Sequence, residues 1–308
     1  MINKNTIKLS ITIPTYNRAK YLDECLNSIY DQKEVNFNEI EIVVSDNNSS
    51  DETESVINKW KQKFSIFIYK KNSVNLGPTR NIRNVLNLGR GDYIWLFGDD
   101  DIFLKDYAIK KILDIASDDK YAFIWVGSTE IGKSHKRNKD RLIEVDHIKL
   151  LSSLDSGLIS RYIFQKKAYS ETKRTFFETY LDQIGIILEI SYKNKSLIVT
   201  DSLVGARRNN SSIISRTIFL DYIKIINDFK NIYPEKEIKK FKRRIFWSLL
   251  IFNLAGAKIN RETEYNEEFV KYYKDFPFIM FVYKLIWYIT PRKILLLFKK
   301  LYRRFIKA

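Results

Sequence analysis

Asp99, Asp100 and Asp101 stand side by side between two apolar runs, YIWLF at 93–97 and Ile102-Phe103-Leu104. Three adjacent carboxylates repel one another and hold each other's protons unless a cation intervenes. Carboxylates that keep several waters and share the cation with phosphate oxygens describe a Mg²⁺ or Mn²⁺ site. A solvated acidic turn is the plainer reading of the same residues, but the flanking apolar runs clamp this one between buried segments. Gly98 would let the backbone approach a ligand closely. Three other polar segments follow apolar runs in the same way: Thr15-Tyr16-Asn17-Arg18, Ser45-Asp46-Asn47 and Asn72-Ser73-Val74-Asn75. Arg80, just past Gly77-Pro78, is placed to meet a diphosphate together with a helix N-terminus, and a solvated arginine fits its spacing nearly as well. Asp51 reads as a helix cap, whereas Asp46 sits directly at a strand terminus.

The elements that must position these residues alternate regularly. The spacing predicts strands at 9–13 (LSITI, stopped by Pro14), 40–44 (IEIVV), 66–69 and 93–97, and helices over 18–31, through Val56, Ile57 and Trp60, and from Pro78 through Ile82, Val85, Leu86 and Leu88. Strand–helix alternation implies an α/β fold with a doubly wound, mostly parallel sheet. Near-continuous apolar runs suit strands buried on both faces. Ligands of such sheets bind outside the carboxyl ends of the strands, so the four polar segments should converge on one rim.

The 308 residues suffice for one large domain with an appendage or two modest ones. Cys25, the single cysteine, lies on the apolar stripe Tyr21, Leu22, Cys25, Leu26, Ile29 and reads as a small buried hydrophobe. His135 and His147 have no partners at metal-ligand spacing, which argues against zinc. The first ten residues lack the apolar core of a signal peptide, and a cytoplasmic location is expected. Of the net charge of +16, residues 236–308 carry +12, from 18 Lys/Arg against 6 Asp/Glu.

Together, ITIPTYNRAKYLDECLNSI, VVSDNNSSDET and NLGPTRNIRNVLNLGRGDYIWLFGDDD resemble, in order and spacing, the family-2 glycosyltransferases of the GT-A fold. The resemblance covers about a third of the chain, residues 9–104. It implies that Pro14, Thr15, Tyr16 and Arg18 border the nucleotide with Asn75, that Asp46 recognises the base, and that Arg80 lies near the ribose or diphosphate. It gives the family's DXD role to Asp99 and Asp101, one toward the ribose or sugar and the other on a Mg²⁺ or Mn²⁺ ion. Many relatives read Asp-x-Asp-Asp where this chain has Gly98-Asp99-Asp100-Asp101, so a second register makes Asp100 the metal ligand. The GDDD form is similar to a subgroup near the abequosyltransferases. The implied reaction is an inverting displacement from a nucleoside-diphosphate sugar onto a hydroxyl of a glycan or lipid-linked acceptor in surface polysaccharide synthesis. Asp182 is the best-matched catalytic base and Glu178 the reserve, although the family's usual Glu-Asp pair is not clean here. Arg207, Arg208 and Asn209 to Ser212 resemble the loop that closes over the diphosphate. The expected division is a GT-A domain over 1–215 and a helical basic region over 216–308.

The tail has its own pattern. The apolar run at 276–290 contains Lys284 and is too short to span a bilayer. Beyond Pro291, Leu297, Phe298, Leu301, Tyr302 and Phe305 recur at helical spacing against Lys299, Lys300, Arg303, Arg304 and Lys307. That pattern fits an interfacial helix on an anionic membrane, here the inner face of the cytoplasmic membrane, and also a core-packed helix with a solvated basic face. A nucleic-acid-binding or nucleotidyl-transferring protein is the alternative. Binding nucleic acid leaves the acidic rim unexplained, and PTYNR is not a glycine- and lysine-rich phosphate loop.

Overall fold

The structure is a computed structural model that describes residues 6–133, 140–153, 158–177, 179–207, 214–245, 270–271, 273–284 and positions 267, 288, 290 and 291. Its contacts group the chain into two compact units, one of residues 1–178 with 182–209 and the other of 179–181 with 210–308.

The first unit is built on one sheet. β1 (Leu9–Thr15) lies between β2 (Ile40–Asp46) and β4 (Tyr93–Leu96), with β3 (Phe67–Lys71) outside β2, all parallel. All seven residues of β2 and all four of β4 are buried, as a strand covered on both faces requires. α1 (Ala19–Tyr30) buries Leu22, Cys25, Leu26 and Ile29, so the stripe containing Cys25 is a core face. α1 packs on α2 (Thr53–Lys61), and α3 (Pro78–Leu88) packs on β1 and β2. Gly77 precedes α3 at φ 79°, a conformation open to glycine, and Pro78 supplies the fixed φ of the first helical turn. These elements agree with the spacing in the sequence to within a few residues at their ends.

Beyond β4 the pairing changes. β8 (Tyr162–Gln165) runs antiparallel to both β4 and β6 (Phe123–Glu130), and β6 is parallel to β9 (Ser196–Ala206). The two-residue β5 (Ile102–Phe103) does not return to β4. It pairs antiparallel with the end of β9, Ile102 opposite Gly205 and Phe103 opposite Val204. β7 (Leu142–Val145) also pairs with β9. The acidic residues 99–101 therefore form a turn strung between two strands anchored to different neighbours. α4 (Ala108–Ala116), α5 (His147–Ser153), α6 (Lys166–Ser170) and α7 (Asp182–Lys193) complete this unit.

In the second unit, α8 (Ile214–Asp228) buries Tyr222, Ile223, Ile225 and Ile226. Asp221 beside them accepts the Tyr180 N–H at 2.8 Å. The helix Pro277–Lys284 buries Ile279 and Tyr283. Its Phe278 and Phe281 are 63% and 62% exposed. Among the described residues no helix is long and apolar enough to cross a membrane. The amphipathic pattern at 297–307 lies outside the described residues.

Candidate active site

Parallel pairing forces the loops together. Thr15 is in register with Asp46, and Asp46 with Lys71, so β1, β2 and β3 end at one level. The segments that follow interlock. Asn17, in the left-handed region at φ 52°, donates its N–H to Ser49 Oγ at 2.9 Å and accepts the Ser50 N–H at 2.8 Å. Asp51 accepts from Ala19 N–H at 2.9 Å and from Thr53 N–H at 3.1 Å, so one carboxylate serves the starts of both α1 and α2. Burial opposes its charge, yet the Thr53 and Ala19 donors leave its pKa below the usual carboxylate range.

A buried amide network fixes the next loop. Asn47 Nδ2 donates to Asn75 Oδ1 at 2.7 Å and to Gly77 O at 3.3 Å. Asn72 Nδ2 donates to Asn47 Oδ1 at 3.2 Å and to Asn81 Oδ1 at 2.9 Å. Asn75 is thereby held beside the start of α3. Asp46 is fully buried, accepting at Oδ1 from the N–H and hydroxyl of Ser49 at 2.8 and 2.5 Å and at Oδ2 from Tyr69 OH at 3.0 Å. Burial and the Asp46 carboxylate push the Tyr69 phenol well above its ordinary pKa.

The acidic turn meets the first loop directly. Thr15 Oγ1 donates to Asp99 Oδ2 at 2.8 Å, and Arg18 Nη1 bridges Asp99 Oδ1 at 3.1 Å and Asp100 Oδ2 at 2.9 Å. Burial raises the Asp99 carboxyl to about 6; Arg18 and Thr15 oppose the rise and Asp100 adds to it. Asp101 rises to about 7, again through burial, with Ser160 opposing and Asp100 adding. Tyr16, 44% exposed, stands at the open side.

The three aspartates are not equivalent. Asp101 is 2% exposed and accepts from Ser160 Oγ at 2.5 Å and Arg207 N–H at 3.3 Å. Asp100 is the most open, its side chain 14% exposed against 7% for Asp99. Gly98 is small for a reason the sequence did not disclose. A Cβ there would lie 3.0 Å from Asp101 Oδ2 and 3.2 Å from Ser160 Oγ, so the close approach is to the chain's own side chains. Cys25 Sγ lies beneath, 3.7 Å from Gly98 O.

Arg80 is exposed, and its guanidinium stacks 4.8 Å from the Phe177 ring centroid. Arg207 pairs with Glu24 and lies 4.8 Å from the Tyr21 ring; Arg208 to Ser212 fall outside the described residues. Asp182 is fully buried at the start of α7. It takes Arg83 Nε on Oδ2 at 2.7 Å, and Arg83 Nη2 and Phe176 N–H on Oδ1, each at 2.8 Å. Three donors fill most of the acceptor capacity of a carboxylate. In this arrangement Asp182 is the counter-ion of Arg83. Glu178 lies outside the described residues.

The donor set suits one kind of cation. Asp99 and Asp100 present hard oxygens on the rim, and Mg²⁺ is commonly held by one or two carboxylates with phosphate and water supplying the rest. Among the described residues no group of three or more His, Cys, Asp or Glu side chains is arranged as an all-protein cage.

Ser160, Arg83, Phe177 and Asn81 went unread in the sequence, and Asn47 and Asn72 were read as rim residues without the bonds that join them to Asn81. Arg83 had a signal, a charge between Ile82 and Val85 on the apolar stripe of a helix. Ser160 had none.

A mostly parallel sheet flanked by helices, whose carboxyl rim gathers a threonine, an arginine and an acidic turn, has the GT-A architecture. The same fold is seen in residues 1–349 of Staphylococcus aureus TarS, solved with UDP-GlcNAc, at a TM-score of 0.69 over 87% of this chain and 80% of that one, with 18% identity. The chain belongs to glycosyl transferase family 2, whose family model matches residues 10–185. It is 50% identical over 99 residues to the abequosyltransferase RfbV of Salmonella typhimurium, a match spanning 32% of this chain but only 29% of that protein. It is 27% identical over 256 residues to the GalNAc(5)-diNAcBac-PP-undecaprenol beta-1,3-glucosyltransferase of Campylobacter jejuni, covering 77% of this chain and 78% of the relative.

Proposed function

We propose that this chain transfers a sugar, with inversion, from a nucleoside diphosphate held on the rim to a hydroxyl of a glycan or lipid-linked acceptor in surface polysaccharide synthesis. The observation that carries this reading is the junction of Thr15, Arg18, Asp99 and Asp100 at the carboxyl ends of β1 and β4. Pro14, Thr15, Tyr16 and Arg18 border the nucleotide, Asp46 and Asn75 stand on the base side, and Asp99 faces the ribose. Arg18 meets the diphosphate by exchanging its carboxylate partners for phosphate oxygens, and Arg80 approaches from the start of α3. The resemblance to the named abequosyl- and glucosyltransferases supports a glycan or polyprenyl-linked acceptor over a nucleic acid.

A divalent cation, Mg²⁺ or Mn²⁺, would supply charge neutralisation of the departing diphosphate. Of the two registers open in the sequence, exposure supports the one with Asp100 as the metal ligand, its side chain 14% exposed against 7% for Asp99. Asp101 is turned inward onto Ser160 and Arg207. Asp182 serves as acceptor base only in a state where Arg83 has released it, for instance onto another anion, with Glu178 as the reserve. The exposed Phe278 and Phe281, in the same unit as the strongly basic 236–308 stretch, support seating at the inner face of the cytoplasmic membrane.

Calorimetric titration of UDP, GDP and CDP, each with and without Mn²⁺, tests the reading. Metal-assisted binding of one of them is expected, and binding of none would overturn it.

A further inference from the structure

We propose that Ser160 is a positioning residue whose hydroxyl braces the acidic turn, so that Asp101 orients Asp99 and Asp100 without itself facing the diphosphate. The inference rests on the nucleotide-binding reading of the rim and assigns a part to a residue outside it.

Ser160 is fully buried in the 3-10 turn Ile159–Arg161, which leads into β8. Antiparallel pairing of β8 with β4, Tyr162 opposite Leu96, sets this turn beside the end of β4, where the acidic turn begins. The hydroxyl works in both directions. It accepts the Gly98 N–H at 2.6 Å and donates to Asp101 Oδ2 at 2.5 Å. The Ser160 carbonyl accepts the Trp95 indole N–H at 2.9 Å, which fixes the backbone beneath the hydroxyl.

The turn is closed internally by Asp101 N–H on Gly98 O at 3.2 Å. The Asp101 carboxylate then reaches two other elements, the lead-in to β8 through Ser160 and the end of β9 through Arg207 N–H. With residues 98 and 101 both tied inward, the intervening side chains 99 and 100 turn to Thr15 and Arg18. A hydroxyl is the smallest group that accepts and donates at once, and alanine would remove both bonds together. The space is close: a Cβ at position 98 would meet the Ser160–Asp101 pair at 3.0–3.2 Å.

The test titrates Mn²⁺ against whichever of UDP, GDP and CDP the unsubstituted chain binds, reading nucleotide affinity by calorimetry with and without metal. Supporting groups behind metal-binding side chains are typically worth about 10–100-fold in metal affinity. Ser160→Ala is therefore expected to raise the half-saturating Mn²⁺ concentration at least about tenfold and to leave metal-free nucleotide affinity within about threefold. Ser160→Thr, which keeps the hydroxyl, restores most of the difference. Gly98→Ala perturbs the same pair without deleting it and shifts the Mn²⁺ requirement in the same direction, which keeps the test open if Ser160→Ala does not fold. An unchanged Mn²⁺ requirement in folded Ser160→Ala, or in Gly98→Ala where the former is lost, overturns the brace. Equal losses with and without metal overturn it too, since they mark a general packing role. Absence of Mn²⁺-assisted binding in the unsubstituted chain is a separate result, and it overturns the nucleotide-binding reading itself.

Discussion

Arg83 and Asp182 form a two-pronged ion pair, Nε to Oδ2 at 2.7 Å and Nη2 to Oδ1 at 2.8 Å, between α3 and α7. Asp182 is fully buried and the Arg83 side chain is 11% exposed. Removing one member strands a charge in the interior, at a cost of about 3–5 kcal/mol. Arg83→Met should accordingly lower the urea midpoint sharply, while Arg80→Met, which loses only an exposed stack on Phe177, should shift it little. Equal midpoints for the two variants would contradict the pairing.

If Asp182 is also the acceptor base, Asp182→Asn stops sugar transfer while nucleotide affinity stays within about threefold of the unsubstituted chain. Its amide retains the shape of the carboxylate but cannot take a proton. Transfer that survives in Asp182→Asn shifts the role elsewhere, with Glu178→Gln the next variant to assay.

The three aspartates should separate by measurement. Asp100→Asn is expected to weaken Mn²⁺-assisted nucleotide binding at least about tenfold with little change in melting temperature, because Asp100 is the most open of the three. Asp101→Asn acts through the turn and should lower the melting temperature as well, since it disturbs bonds to Ser160 and Arg207. The reverse ranking in metal dependence would return the metal to Asp101.

Gly185 is a packing site. A Cβ built there would lie 2.2 Å from the Phe176 ring, whose backbone N–H is bonded to Asp182. Gly185→Ala forces the ring away and should destabilise the chain by about 1–3 kcal/mol, as overpacking does. Phe176→Leu in the same chain should recover part of that loss; no recovery would place the cost elsewhere.

Deletion of residues 292–308 should abolish flotation with anionic liposomes, and Phe278→Ser with Phe281→Ser should weaken it. In the proposed membrane seating the basic stretch would supply attraction to anionic lipid and the rings apolar contact. Flotation unchanged by the deletion would reject membrane seating through the tail.

The rim was legible because its logic is local. LSITI, IEIVV and YIWLF are apolar runs stopped by turn residues, and parallel strands send successive carboxyl ends to one side, so Thr15, Asp46 and the acidic turn had to gather. Family membership was legible for the same reason, since the order and spacing of those segments lie in contiguous sequence. Which aspartate faces outward was not legible. It depends on Ser160 and Arg207, roughly 60 and 106 residues from the turn in sequence, arriving through an antiparallel strand and the end of β9. The state of Asp182 was hidden likewise, because spacing marks an acid on a helix but not the arginine 99 residues away that neutralises it. The sequence by itself determined the acidic turn, its place at the end of a buried strand and the family of the chain. Tertiary structure decided which carboxylate is tied inward, because burial and hydrogen-bond partners at long sequence separation set the orientation of each side chain.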